Sequence, residues 1–133
     1  MGRLQGRVLL AEDNPVNAMV AVAALQRLGL VVQAVDDGHA ALAELQQHPG
    51  AHDLVLMDCQ MPGLDGFEAT RRLRAWERAE AHPHLPVVAL TANALEGDRE
   101  RSLEAGMDDH LAKPYGLAEL HTVLARHLPA AAG

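Results

Sequence analysis

Four apolar runs of this chain each stop abruptly at a polar side chain capable of chemistry. Val8-Leu9-Leu10-Ala11 runs into Glu12 and Asp13, and Leu54-Val55-Leu56-Met57 into Asp58. Pro86-Val87-Val88-Ala89-Leu90 runs into Thr91, and His110-Leu111-Ala112 into Lys113 and Pro114. If the runs are parallel strands of one sheet, their carboxyl ends share an edge, and open α/β sheets place their sites there. Three acids, a hydroxyl and an ammonium then face one crevice. A carboxylate ending the central strand, as Asp58 would, can attack phosphorus as an aspartyl nucleophile. Glu12, Asp13 and Asp58 repel one another unless a cation sits among them. Hard Mg2+, held by a few carboxylates, waters and a phosphoryl oxygen, is the natural occupant. Lys113, a point charge on a long stem, can bridge the acids first and bind a phosphoryl oxygen afterwards. Thr91 offers a hydroxyl donor to another oxygen, and the small Ala92 beside it leaves the phosphoryl group open to a donor.

The elements that must hold these groups follow from the spacing. Strand starts fall near Val8, Val31, Asp53, Pro86 and Asp109, with a helical pattern in each gap, which makes five βα units. Gaps of this length suit helical crossovers between parallel strands, since hairpins are far shorter. The first helix has Asn14 as N-cap and Pro15 at its first position and ends at Gly29. The second runs from about Gly38 to His48, with Ala41, Leu42 and Leu45 inward, and stops at Pro49-Gly50. The third runs from Gly66 through Ala69, Leu73 and Trp76 to about Glu80, the fourth from Ala94 to Glu104, and the fifth from Leu117 to Leu128. The expected domain is 7–128, with 1–6 and 129–133 as flexible termini.

At 133 residues and 49% hydrophobic content the chain is one domain with ample material for a core. A net charge of -7 with 11 Lys and Arg and no basic cluster excludes a nucleic-acid groove. The longest apolar stretches, such as Ala18 to Leu25, are too short to span a bilayer, and Met1-Gly2-Arg3 leads into no signal peptide. The domain is therefore expected to be cytoplasmic and without direct membrane contact, whether or not a parent protein is membrane-anchored. Cys59 has no second cysteine to pair with, which suits a reducing compartment. Phe67, Trp76 and Tyr115 are too few aromatics for a base-stacking platform or a flavin sandwich.

Four segments carry a resemblance across nearly the whole chain. Ala11-Glu12-Asp13-Asn14-Pro15-Val16-Asn17, Met57-Asp58-Cys59-Gln60-Met61-Pro62-Gly63-Leu64-Asp65-Gly66-Phe67-Glu68-Ala69, Ala89-Leu90-Thr91-Ala92-Asn93-Ala94 and Leu111-Ala112-Lys113-Pro114 resemble the receiver domain of two-component response regulators. Each motif is moderately specific alone, and four in order at the required strand ends are very specific. The resemblance implies a flavodoxin-like (βα)5 three-layer sandwich with parallel strands in the order 2-1-3-4-5, an order of which this family is a well-known example. It also implies Asp58 as phosphoacceptor, Asp13 and Asp58 as direct Mg2+ ligands, and Glu12 acting through water. The backbone carbonyl of Gln60 completes that set, and Pro114 follows a cis peptide bond.

Several residues have a plainer role. Gly63, Asp65 and Gly66 are turn residues, glycine allowing positive φ in a tight loop. Cys59 points away from Asp58 on an alternating strand and packs. The His82-Pro83-His84 segment is expected to have no matching Cys or Asp partner nearby and to be surface loop, not metal ligand. His110 departs from the family pattern, because many receivers carry Tyr or Phe three residues before the lysine. It is either a switch residue beside Thr91, able to swing but titrating near neutrality, or an exposed histidine on the last strand.

The function expected is a phosphoacceptor module, not an enzyme: it takes a phosphoryl group from a phosphohistidine onto Asp58 and then loses it by slow hydrolysis. Phosphorylation would bias the last helices between two arrangements through Thr91 and Lys113. A haloacid-dehalogenase-like phosphatase also uses an aspartyl nucleophile and Mg2+, but it wants an acid two residues later, where Gln60 stands. A flavodoxin-like cofactor binder is rejected by Glu12 and Asp13, which repel a phosphate in the loop that would cradle it. A degenerate receiver is hard to sustain with every site residue present. The motifs look most like receivers of hybrid sensor histidine kinases, so the expected partner is a histidine kinase or a histidine phosphotransfer domain, with this domain monomeric in isolation. If the first helix buries Val20, Ala21, Ala24, Leu25 and Leu28, then Ala18, Met19, Val22 and Ala23 form an exposed strip on which such a partner docks, centred on Met19 and Val22.

Overall fold

The computed structural model describes residues 2–92 and 96–131. Strands and helices alternate along it: β1 (Arg7–Ala11), α1 (Pro15–Arg27), β2 (Val31–Val35), α2 (Gly38–Gln47) and β3 (Leu54–Asp58). They are followed by α3 (Gly66–Ala79), β4 (Val87–Thr91), α4 (Glu96–Ala105), β5 (Asp109–Ala112) and α5 (Leu117–Ala125). The five strands form one sheet in the order β2-β1-β3-β4-β5, every pairing parallel, as the motifs implied. Strand residues alternate between two cores. Val8, Leu10, Leu54, Leu56, Val88 and Leu90 meet α1 and α5 on one face through Leu25 and Leu124. Leu9, Val55, Met57, Val87 and Ala89 meet α2 and α3 on the other through Leu45 and Leu73. A sheet covered on both faces needs apolar residues at every position, which is why β1, β3 and β4 read as unbroken apolar runs.

The helix starts are held by side chains. Asn14 Oδ1 accepts from the Val16 and Asn17 amides at 2.9 and 3.1 Å, Asp37 from Ala40 at 2.6 Å, and Asp65 from Glu68 at 2.8 Å. Each satisfies donors that the first helical turn leaves without an intrahelical partner. Asp65 is thus an N-cap. Gly63, at φ 78°, is the loop glycine that needs positive φ. Gly66 needs something else: a Cβ there would collide with the carbonyl oxygen of Asp58, so the first turn of α3 lies directly against the end of β3.

Three expectations are corrected below, and near the chain ends Leu4 is buried and forms an antiparallel bridge with Ala130. The Gln5 amide also donates to Pro129 O at 3.0 Å, which closes the open end of the α1/α5 core. In α1, Ala21, Leu25 and Leu28 face inward, whereas Val20 is 63% exposed and Val22 half-buried against the core. At about 100° per residue, Val20 lies one step round the helix from buried Ala21 and faces solvent. The last helix stops at Ala125, because Arg126 and His127 turn back onto Asp109 at 3.0 and 3.1 Å. Burial alone would raise the Asp109 carboxyl, but the His110 amide, Arg126 and His127 outweigh it and hold it below the usual carboxylate range. Finally, His84 has an acid partner after all: its Nε2 lies 2.6 Å from Asp108. Asp108 also receives Arg74 at 2.8 Å, and Arg74 pairs with buried Glu77 at 2.8 Å. The expected fourth-helix start at Ala94 lies outside the described residues; its end falls at Ala105.

Candidate phosphoacceptor and metal site

Parallel pairing sets the strand ends in a row. Ala11 is in register with Met57, Asp58 with Leu90, and Thr91 with Ala112. Glu12, Asp58, Thr91 and Lys113 therefore leave the sheet at the same carboxyl edge. Asp58 and Glu12 are both buried, with Asp58 at 5% exposure and Glu12 at 4%, and so is Thr91. Asp13 is exposed at the mouth.

Each carboxylate oxygen of the two buried acids has a defined donor. Lys113 Nζ lies 2.7 Å from Glu12 Oε1 and 3.1 Å from Asp58 Oδ2. The Gln60 amide donates to Asp58 Oδ1 at 3.1 Å, and the Asn14 amide to Glu12 Oε2 at 3.3 Å. Burial on its own would lower the lysine's affinity for its proton. The hydrogen bond to Glu12 and the charge of Asp58 more than offset this, so Lys113 is held above the ordinary lysine range. It is a permanent cation in this crevice.

One carboxylate oxygen from each of Glu12, Asp13 and Asp58 can be chosen so that all three lie within 4.8 Å of one another. Among the described residues this is the one such group of acids, histidines or cysteines. The donors are all hard oxygens, one acid opens to solvent, and a single ammonium cannot neutralise three carboxylates. The set fits a hard divalent cation.

Of the residues named from sequence, Glu12, Asp13, Asp58 and Lys113 lie together, Thr91 ends the neighbouring strand, and two others sit at the edge. Gln60 sits beside Asp58 through its amide. His110 is half-buried on β5 opposite Ala89, on the same face of the sheet as Thr91 by register. Cys59 is buried in the opposite core, as its strand position required. The Lys113–Pro114 peptide is cis. One neighbour escaped sequence reasoning. Tyr115 closes the crevice beside Lys113 and Glu12, and burial chiefly, with the charges of Glu12 and Asp58, keeps its phenol protonated above the usual range. A lone aromatic after a Lys-Pro pair carried no signal of that place.

Comparison with known proteins gives the same picture. The model of the response regulator receiver domain family matches residues 8–125. The sensor protein GacS of Pseudomonas syringae pv. syringae is 46% identical over 89% of this chain, but the chain spans only 13% of that relative's length. The receiver domain of the sensor histidine kinase PA1611 from Pseudomonas aeruginosa PAO1, solved with a magnesium ion coordinated in its active-site cleft, is 48% identical. It superimposes with a TM-score of 0.81 over 92% of this chain and 97% of that one. The Saccharomyces cerevisiae receiver domain of Ssk1, solved with the histidine phosphotransfer protein Ypd1, gives 26% identity and a TM-score of 0.87 over 96% and 91% of the two chains. By family match, relatives and fold together, this chain belongs to the response regulator receiver domains.

Proposed function

We propose that this domain takes a phosphoryl group from a phosphohistidine onto Asp58 and uses the modified state to change what binds it. The observation that carries the reading is the Lys113 ammonium held between Asp58 and Glu12, with Asp13 at the same mouth. In the transfer, an Asp58 oxygen bonds to phosphorus as the P–N bond breaks. The bonding pair returns to the ring nitrogen, and the imidazole leaves neutral when its other nitrogen carries a proton. Asp13, Asp58, the Gln60 carbonyl and, through water, Glu12 would hold Mg2+, which would supply charge neutralisation among the acids and on the phosphoryl oxygens. Lys113 then exchanges a carboxylate for a phosphoryl oxygen, and the Thr91 hydroxyl donates to another. Drawing in Thr91 is what would bias α4, β5 and α5, with His110 the neighbour that responds. Loss of the phosphoryl group is slow hydrolysis, so the output is binding, not turnover.

The donor in this reading is a histidine kinase or a histidine phosphotransfer domain, as suits a receiver similar to those of GacS and PA1611. No described helix is long and apolar enough to cross a membrane; separately from that, the reading takes the domain to be cytoplasmic and monomeric. Its docking strip on α1 is Val16, Met19 and Val20, exposed by 67, 71 and 63%. Val22 drops out because it is half-buried. A phosphatase of the haloacid-dehalogenase type is not favoured, since Gln60 occupies the place of its second acid.

Incubation with acetyl phosphate and Mg2+ tests the assignment by intact mass. One phosphoryl group should appear, Asp58→Asn should prevent it, and excess EDTA should abolish it. Equal labelling of the Asn variant would remove Asp58 from its role.

A further inference from the structure

A cleft of about 240 Å3 lies at the end of the sheet opposite the acids. Asp53 and Pro86, which precede β3 and β4, are two of its walls, and the ends of α2 and α3 supply others through His48 and Trp76. No acid of the crevice borders it, nor do Thr91 and Lys113. Its apolar walls include the core residues Leu45 and Leu73. An apolar cavity of about 150 Å3 already accommodates a benzene ring, so this space suits two fused rings.

Two observations say what such a ligand carries. Trp76 and His82, both walls, are stacked with centroids 4.2 Å apart and planes 16° from parallel. A flat pair of this kind offers a further planar ring a surface to pack on. His52, a third wall, is more than nine-tenths buried. Its Nδ1 is the one buried side-chain nitrogen or oxygen without a hydrogen-bond partner among the described residues. The other ring nitrogen, Nε2, lies 3.0 Å from Gln33 Oε1. An amide oxygen only accepts, so Nε2 carries the proton and Nδ1 of the neutral ring is a bare lone pair. Burial chiefly holds this imidazole below its ordinary range, with Glu44 and Asp53 opposing and Arg7 and His48 assisting. Leaving a buried acceptor unpaired costs free energy, and a donor that reaches it removes that cost. Nδ1 is closed from water, so the donor reaches it only as the wall gives. The exposed turn His48-Pro49-Gly50, also lining the cleft, is the part of that wall nearest in sequence.

Histidines also bind metals, and His48 and His84 line the cleft with His52 and His82. However, His84 Nε2 is taken by Asp108 at 2.6 Å and the His82 ring lies flat on Trp76. Among the described residues, no three ligand groups here come within 4.8 Å of one another. The cleft is therefore shaped for a ring and not for an ion.

We propose that it binds a planar two-ring ligand bearing an N–H or O–H donor, packed beside Trp76 and His82 with the donor on His52 Nδ1. Indole has this chemistry, either as a free molecule or as the side chain of a partner's exposed tryptophan.

NMR titration of the isotope-labelled domain with unlabelled indole tests the proposal. The single tryptophan gives one ring N–H signal, and the histidine ring nitrogens are read separately. Indole should shift the Trp76 signal and move His52 Nδ1 toward the position of a hydrogen-bonded acceptor, and Asp58→Asn should titrate as the wild type does. Benzofuran, the same bicycle without an N–H, should bind about 10-fold more weakly, as expected from losing one hydrogen bond to a buried acceptor. His52→Phe keeps a ring but no acceptor and should erase that difference; the wild-type comparison stands alone where this variant does not fold. N-acetyltryptophanamide separates the two sources. Binding comparable to indole points to a partner's side chain, and exclusion of the amide points to a free ring. Equal affinity for indole and benzofuran overturns the proposal, as do shifts that leave Trp76 and His52 unmoved. So does Zn2+, in a separate titration, moving the ring nitrogens of all four histidines and displacing indole, because the cleft would then be a metal site.

Discussion

Lys113 is the residue on which the apo crevice depends. It supplies the one ammonium seen between two buried carboxylates, and its 21% exposed side chain lets water share part of that work. Removing it leaves Glu12 and Asp58 facing each other with an amide apiece. For a fully buried pair the penalty of stranding a charge is several kcal/mol, and partial exposure of Lys113 reduces it. Lys113→Met should therefore cost about 1–2 kcal/mol of stability in chelator. A divalent cation bound among the same acids offsets the missing charge and stabilises the folded state by mass action. Chemical denaturation with and without Mg2+ should show most of that loss recovered in the metal. A loss of the same size in both conditions would mean that Lys113 acts by packing its stem and not by balancing the acids. At this scale the sequence was informative because each reactive type sat at the end of an apolar run, so the strand pattern alone predicted which side chains would meet. Tyr115 was not, since its place depends on the chain direction after Lys113-Pro114.

Elements were legible where one rule decided them and obscure where two competed. β1, β3 and β4 are buried on both faces, and a run of Val, Leu and Ala has little else to be. α1 had two possible apolar faces because nearly every residue from Val16 to Leu25 is apolar or alanine. Packing of Ala21, Leu25 and Leu28 against the sheet fixes the phase and leaves Val20 in solvent. The turn after α3 is more than the simple surface loop its residues suggest. Its Ala81 adopts φ 57°, a left-handed conformation usually left to glycine, while the His82 amide reaches back to Glu77 O at 2.9 Å. His82 stacks on Trp76 with ring centroids 4.2 Å apart, the side-chain contact that often accompanies this way of ending a helix. The methyl at Ala81 opposes a backbone that the turn otherwise favours. Ala81→Gly relieves a left-handed penalty of about 1–2 kcal/mol but adds freedom to the unfolded chain. The expected net gain is about 0.5–1 kcal/mol in urea denaturation. A destabilised variant would mean the alanine makes a contact that outweighs its backbone cost.

For the molecule as a whole, the acid crevice and the apolar strip on α1 lie side by side, joined by the Asn14 cap that starts the helix and donates its amide to Glu12. Scattered exposed apolar residues are ordinary, but Val16, Met19 and Val20 are three of the five large hydrophobics most exposed among the described residues, and they share one helix face. A net charge of -7 keeps copies of the domain apart, and it favours a docking partner that brings apolar contact and basic residues around the strip. The sequence marked α1 as an apolar helix but put Val22 on its outer face and Val20 on its inner one, whereas the exposed residues are Val16, Met19 and Val20. The double variant Val16→Ser with Met19→Lys removes apolar area beside the acid crevice and replaces no group in it. Transfer from a phosphorylated histidine phosphotransfer domain should slow at least ~10-fold, a loss of about 1.4 kcal/mol of docking energy. Labelling by acetyl phosphate, which needs no docking surface, should proceed as in the wild type. Quench-flow transfer assays run beside mass-detected acetyl phosphate labelling would separate the two. Unchanged transfer between the proteins would place the docking surface away from α1, whereas equal slowing with both donors would mean that the substitutions disturb the Asn14 cap and through it the crevice.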